Sequence, residues 1–147
     1  MKQALLIAIG SDHAGFQYKE TIKGFLLENG YAVNDSGTFS EDSVDYPDFV
    51  HPVAKAVTNK EADFGILVCG SGQGVMMTAN KHADIRAALC WQKELAALAR
   101  QHNNANVLCL AQRFMELETV LEIVKVFLES EFEGGRHQRR VGKMGCI

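Results

Sequence analysis

The sequence predicts an α/β fold with a parallel sheet covered by helices, on three observations. Five short, nearly continuous apolar runs recur along the chain, and stretches of helical period separate them. The runs lack the in–out alternation of a half-solvated strand, so they read as strands covered on both faces. Strand and helix alternate from start to finish, which gives successive βαβ units and therefore parallel pairing.

The first run is ALLIAIG, residues 4–10. It is too short to span a bilayer and is followed by charge rather than a small-residue cleavage site, so it reads as a buried strand. Residues 16–29 follow as a helix, with Phe16, Ile22, Phe25 and Leu26 on one side and Gly30 as its C-cap. YAVND (31–35) is the second strand and 48–60 the second helix. DFGILVCG (63–70) is the third strand; it ends in a cysteine, runs into a glycine-rich turn and leads to a helix over 74–83. IRAALC (85–90), a helix over 92–103, NVLCLA (106–111) and a helix over 116–131 complete the pattern. In such sheets ligands bind beyond the carboxyl ends of the strands. That rule gathers Ser11–Asp12–His13, the Cys69 loop and the residues after Cys90 and Leu110 at one rim.

The chain of 147 residues reads as one domain, 1–147, with 47% hydrophobic and 22% charged residues. A net charge of −3 gives no global attraction to nucleic acid or to an anionic membrane. Two prolines and no polar low-complexity run argue against disorder or an internal linker. The cysteines are Cys69, Cys90, Cys109 and Cys146; none forms CxxC, which fits a reduced cytoplasmic chain better than a disulfide framework. Cys146 does not have the spacing of a prenylation signal, and the sequence assigns it no role.

Four segments carry chemistry-bearing residues. GSDHAG (10–15) follows the first strand; Asp12 reads either as a helix N-cap beside a solvent-facing His13, or with His13 as an acid/base or phosphate-binding pair. It is not a P-loop, because Phe16–Gln17 stand where Lys–Ser/Thr would be. In CGSGQG (69–74), Gly70, Gly72 and Gly74 leave N–H groups open to a ligand oxygen beside Cys69. The alternative is a tight turn beside an inert thiol. The loop is neither a dinucleotide fingerprint nor a cysteine-phosphatase loop, since Val75 occupies the diagnostic position of each. RQHNNANV (100–107) places His102 and Asn103 between a helix and a strand, a spacing that says little alone. EGGRHQRR (133–140) sets three arginines and a histidine in an acidic chain; it is either a solvated basic tail or a grip for a phosphate ester. Arg113, after the fifth strand, and Tyr46, in the loop SEDSVDYPD, are candidates to join it. The five histidines (13, 51, 82, 102, 137) show no HxxxH or HxH spacing, so no metal site and metal-independent chemistry are expected.

Taken together, GSDHAG, DYPD (45–48), ILVCGSGQG, RQHNNANV and EGGRHQRR resemble the ribose-5-phosphate isomerase type B family, which includes galactose-6-phosphate isomerases. The resemblance runs from about residue 4 to about residue 142. It implies a Rossmann-like three-layer α/β/α sandwich around a five-stranded parallel sheet, assembled as a homodimer or homotetramer with active sites shared between subunits. It implies interconversion of ribose 5-phosphate and ribulose 5-phosphate without a cofactor, through ring opening and an enediolate. Cys69 then matches the base that moves a proton between C1 and C2. Ser71 and the amides of Gly70, Gly72 and Gly74 match the stabilisers of the enediolate oxygens. Asp12 and Tyr46 match sugar-binding positions, and His102, with Asn103 beside it, matches the residue that opens the ring. His13, Arg113, Arg136 and Arg140 match the phosphate grip, with the tail from about 133 to 147 serving the phosphate and the dimer. No acidic residue lies between 70 and 80, which leaves Cys69 as the base of this loop. The competing expectations are the same chemistry on allose 6-phosphate, galactose 6-phosphate or a tetrose phosphate, and a non-catalytic sugar-phosphate binding module on the same fold.

Overall fold

Residues 3–145 are described by the structure, a computed structural model. Cys146 lies outside the described residues. Five strands, β1 (Leu6–Ser11), β2 (Ala32–Asp35), β3 (Phe64–Cys69), β4 (Ala87–Leu89) and β5 (Val107–Ala111), form one sheet in the order β2-β1-β3-β5-β4, with every pairing parallel. The helices are α1 (Phe16–Glu28), α2 (Pro47–Thr58), α3 (Gln73–Ala79), α4 (Lys93–Asn103), α5 (Leu117–Glu129) and α6 (Arg136–Val141). Every strand and the first five helices fall where the apolar pattern puts them. The basic tail departs from it: residues 136–141 fold as a short helix packed against α4, with His137 buried.

Successive side chains of each central strand feed opposite layers. Ile7, Ile9, Ile66, Val68, Leu108 and Leu110 pack with residues of α1, α4 and α5. Ala8, Leu67, Cys69, Val107 and Cys109 pack with residues of α2 and α3. This is the three-layer sandwich that the sequence predicts. The edge strands are the exception to strands covered on both faces. β2 alternates between exposed and half-buried residues and β4 is half-buried throughout, because each has a neighbour on one side only. Among the described residues, no helix is long and apolar enough to cross a membrane.

One buried charge orders the β2 edge. Lys19 falls on the buried stripe of α1 with Ile22 and Leu26, a place the hydrophobic pattern does not give it. Its side chain is 1% exposed, and Nζ lies 2.7 Å from both Asp35 Oδ2 and Glu20 Oε2, between the rings of Phe16 and Phe39. Lys23 reaches the same Asp35 oxygen at 3.3 Å, and the Gly37 N–H donates to Asp35 Oδ1 at 2.9 Å. Burial pushes the Asp35 carboxyl up, but the hydrogen bonds from Lys19 and Gly37 and the Lys19 charge outweigh it and hold it below the usual carboxylate range. The Asp35–Lys19 pair therefore stabilises the fold fully above the unfolded carboxylate pKa of about 3.9, and this contribution fades as pH falls through the lower folded value. Asp35→Asn is expected to lower unfolding free energy at pH 7 by about 2–3 kcal/mol, below the full cost of an orphaned buried charge because Glu20 still faces Lys19. Urea unfolding of both proteins should give stabilities that converge as pH falls below the ordinary carboxylate value of about 3.9. An unchanged difference across that range would show that the carboxylate charge is not what holds β2.

Candidate active site

The chain changes direction across the sheet between β1 and β3: β2 lies on one side of β1, and β3 on the other. At such a switch point the connections leave in opposite directions and open a crevice beyond the strand ends. A cleft of about 460 Å³ lies there. Ser11 is the register partner of Val68, so Asp12 and Cys69 are the next residues of their strands and emerge side by side.

Cys69 is 4% exposed and points to the α2/α3 side. Its sulfur accepts a hydrogen bond from the Gly72 N–H at 3.1 Å. Gly72 has φ +74°, and a Cβ there would lie 2.5 Å from Leu89 Cδ1 and 3.1 Å from the Leu110 backbone. Only glycine fits this left-handed, backed-up position, and that conformation aims the N–H at the sulfur. The other two described cysteines are chemically quiet. Burial pushes the Cys90 thiol up to about 12, and burial, then Cys69 and Cys90, push Cys109 well above the ordinary thiol range. Ser71 is exposed on the loop, and its Oγ accepts from the Gln73 N–H at 3.3 Å, leaving its own proton to donate outward.

The walls come from the neighbouring loops. Asp12 Oδ1 accepts from the Gly15 N–H at 3.1 Å, so the N-cap reading of Asp12 holds; the buried carboxylate also lines the cleft. His13 Nδ1 accepts from the Val44 N–H at 3.2 Å. The proton of the neutral ring is therefore on Nε2, which makes His13 a donor toward a ligand. Tyr46, 39% exposed, packs on Gly74: a Cβ at that glycine would meet its ring at 2.7 Å. Arg113 follows β5; its N–H donates to the Gly70 carbonyl at 3.1 Å, and its side chain covers Gly70. Gln112 anchors the same turn by accepting from the Tyr18 N–H at 2.9 Å. Phe114, 78% exposed, completes the rim, and no feature of the sequence marks it for that place. A second cleft of about 290 Å³ adjoins at Ser71 and Phe114, with Leu89 and the 57% exposed Trp91 in its wall.

Thus Asp12, His13, Tyr46, Cys69, Gly70, Ser71, Gly74 and Arg113 line one cleft, and Gly72 supports it from behind. His102, Asn103, Arg136 and Arg140 do not line it. His102 and Asn103 end α4, which leads into the first residue of β5, whereas Arg113 follows the last. The five residues of β5 separate the two rims by roughly 16 Å. On that second rim Arg100 is 8% exposed and donates to the carbonyls of Ser130 and Ala105 and to Asn104 Oδ1. It lies over the rings of Phe64 and Phe127. That clamp holds the end of α4 to the segment from which α6 departs. The same rim holds a group that sequence spacing does not reveal: His102, Glu133 and His137 offer ligand atoms within 4.8 Å of one another. Glu133 and His137 stand four apart within EGGRHQRR, but His102 is remote in sequence, so no HxxxH or HxH pattern could have marked the group.

A thiol with a donor on its sulfur, a free hydroxyl, a carboxylate and two donors for an anion make a site fit for proton transfer beside a carbonyl in a phosphorylated substrate. Known proteins share this architecture. The ribose-5-phosphate isomerase B of Escherichia coli (strain K12) is 47% identical over 141 residues, covering 96% of this chain and 95% of that protein. The solved structure of ribose-5-phosphate isomerase B from Clostridium thermocellum superposes with a TM-score of 0.95 at 49% identity, covering 96% of this chain and 95% of that one. The Mycoplasma genitalium enzyme of that name, solved with bound ribulose-5-phosphate, gives 0.92 at 46% identity over 97% of this chain and 95% of its own. The family model described as Ribose/Galactose Isomerase matches residues 7–144, and the chain belongs to that family.

Proposed function

We propose that this chain is an aldose–ketose isomerase that interconverts ribose 5-phosphate and ribulose 5-phosphate without a metal or cofactor. The observation that carries the reading is Cys69, set in a cleft with a backbone donor on its sulfur and with His13 and Arg113 among its walls. Cys69 takes the proton from C2 of the open-chain aldose and returns it to C1. Ser71 and the amides of Gly70 and Gly74 meet the charge that develops on the enediolate oxygens, whereas the Gly72 N–H is committed to the Cys69 sulfur; aimed donors of this kind contribute roughly 3–4 kcal/mol each. His13 and Arg113 hold the phosphate, whose binding orients the reacting end. Asp12 and Tyr46 hold the sugar hydroxyls.

His102, Asn103, Arg136 and Arg140 enter this scheme from a second copy of the chain. They occupy the far rim of their own sheet, out of reach of their own Cys69. The surface beside the cleft supports a docked copy: Trp91 and Phe114 are exposed large apolar side chains continuous with it. A homodimer, or a homotetramer built from it, then makes each site from two chains, with His102 opening the ring and the two arginines closing on the phosphate. The absence of disulfides among the described cysteines supports a reducing, cytoplasmic setting.

Initial rates of the EDTA-treated protein on ribose 5-phosphate, allose 6-phosphate, galactose 6-phosphate and erythrose 4-phosphate should show a clear preference for the first. Preference for another sugar would keep the chemistry and move the substrate; no turnover on any, from folded protein, would favour a binding module. Cys69→Ala should lower turnover by about 10³-fold or more while product binding stays within a few-fold of wild type; full activity would sink the base assignment. Mixing inactive Cys69→Ala and His102→Asn subunits should restore about a quarter of wild-type activity, since half the dimers are mixed and each has one intact site. Confirmed subunit exchange without recovery would rule out a shared site.

A further inference from the structure

The second rim carries three ligating side chains that make no hydrogen bond among the described residues. His102 closes α4, Glu133 lies between α5 and α6, and His137 is in α6 with 9% exposure. Glu133 Oε1 is 3.7 Å from Nε2 of His102 and 3.7 Å from Nε2 of His137. These gaps are too long for hydrogen bonds. His137 is buried, His102 half-buried and Glu133 exposed, so the three polar groups converge where a species from solvent can reach them. We propose that His102, Glu133 and His137 form a site for a divalent transition cation, Zn²⁺ by preference, and that its occupation inhibits the isomerase by engaging His102 Nε2.

Two imidazoles and a carboxylate, with water in the fourth place, are a donor set suited to zinc. Zinc bonds of about 2.0–2.1 Å set tetrahedral donors roughly 3.3 Å apart, so the two Glu133 edges close by about 0.4 Å, and the third edge, between the imidazoles, starts from within 4.8 Å. The two rings are stacked, with centroids 4.1 Å apart and planes 9° from parallel. Coordination of one ion by both rings turns one of them out of the stack. His102, with its side chain 38% exposed, has the freedom to turn. An imidazole ligates only when unprotonated. Arg136 and Arg140 place positive charge on the helix of His137, which weakens a cation site and sets the expected affinity in the micromolar range rather than below it. A metal on Nε2 takes the lone pair that His102 needs to exchange a proton with the sugar. The inhibition rests on the ring-opening assignment made above; the binding does not.

The test uses the full protein, stripped with EDTA and dialysed, in two parallel measurements: calorimetric titration with ZnCl₂, and initial rates on ribose 5-phosphate at the same zinc concentrations. Wild type should bind one zinc per chain in the micromolar range and lose activity over the same range. Glu133→Gln and His137→Ala, checked for folding by circular dichroism, should each weaken that binding by more than the roughly tenfold that loss of an outer-sphere partner costs. Each should resist zinc relative to its own metal-free rate. Absence of binding to wild type overturns the site. So does binding that is unchanged in both variants, which would place the metal elsewhere, at Cys69 or at the His51–His82 pair, whose nitrogens lie 2.7 Å apart. Binding that both variants lose, without inhibition of wild type, overturns the inhibitory role. If wild type isomerises no sugar, the titration still decides the site.

Discussion

The register between β1 and β3 is the constraint on which the rest of the site depends. Ile7 pairs with Phe64 and Ser11 with Val68, which delivers Asp12 and Cys69 to the same level beyond the sheet. A slip of one residue would send Cys69 to the α1/α4/α5 layer and Val68 to the cleft, because side chains alternate along a strand. The register is held by the two cores. Ile66 and Val68 have apolar partners on one face, and Leu67 has them on the other, so each alternative pairing disrupts both layers at once. The β3–β5 pairing extends the same order to Arg113, since Cys69 lies opposite Ala111.

Much of this was legible in the residues. Continuous apolar runs and their helical spacers gave the five strands, the first five helices and the parallel sheet, because burial on both faces leaves a strong local signal. The strand-end rule then gathered Asp12, Cys69 and Arg113 before any contact was known. Three things were not legible. The sheet order places β5 inside β4, and no local pattern distinguishes that from β4 inside. Lys19 sits on a buried stripe because Asp35 and Glu20 meet it, a tertiary pairing that hydrophobic periodicity cannot report. The folding of residues 136–141 as a helix packed against α4 is a tertiary docking that the polar sequence of the basic tail conceals. Phe114 escaped for the related reason that its neighbours are distant in sequence, and the group at Glu133 and His137 because its third member, His102, is distant from both.

The described cysteines show how environment separates residues of one type. Cys90 and Cys109 are enclosed by side chains with nothing to stabilise a charged sulfur, and burial makes them inert. Cys69 is almost as hidden, yet a backbone N–H meets its sulfur and the cleft opens beside it. Position at the end of a central strand, rather than exposure as such, distinguishes it. The histidines divide similarly: His13 is fixed as a donor by the Val44 N–H, while His102 and His137 face a shared carboxylate.

The packing of the glycine loop bears on how such a site changes over evolutionary time. A β-carbon at Gly72 would strike Leu89 and the β5 backbone, and one at Gly74 would strike the ring of Tyr46. The floor of the cleft is therefore bare main chain with no spare volume behind it, and natural variation has almost nothing to select among there. New substrate shapes have to be reached from the opposite direction, through the side chains of the rim, such as Tyr46, Phe114 and Arg113. A lineage drifting toward a longer or shorter sugar would be expected to keep its glycines unaltered and to record its history in those rim positions.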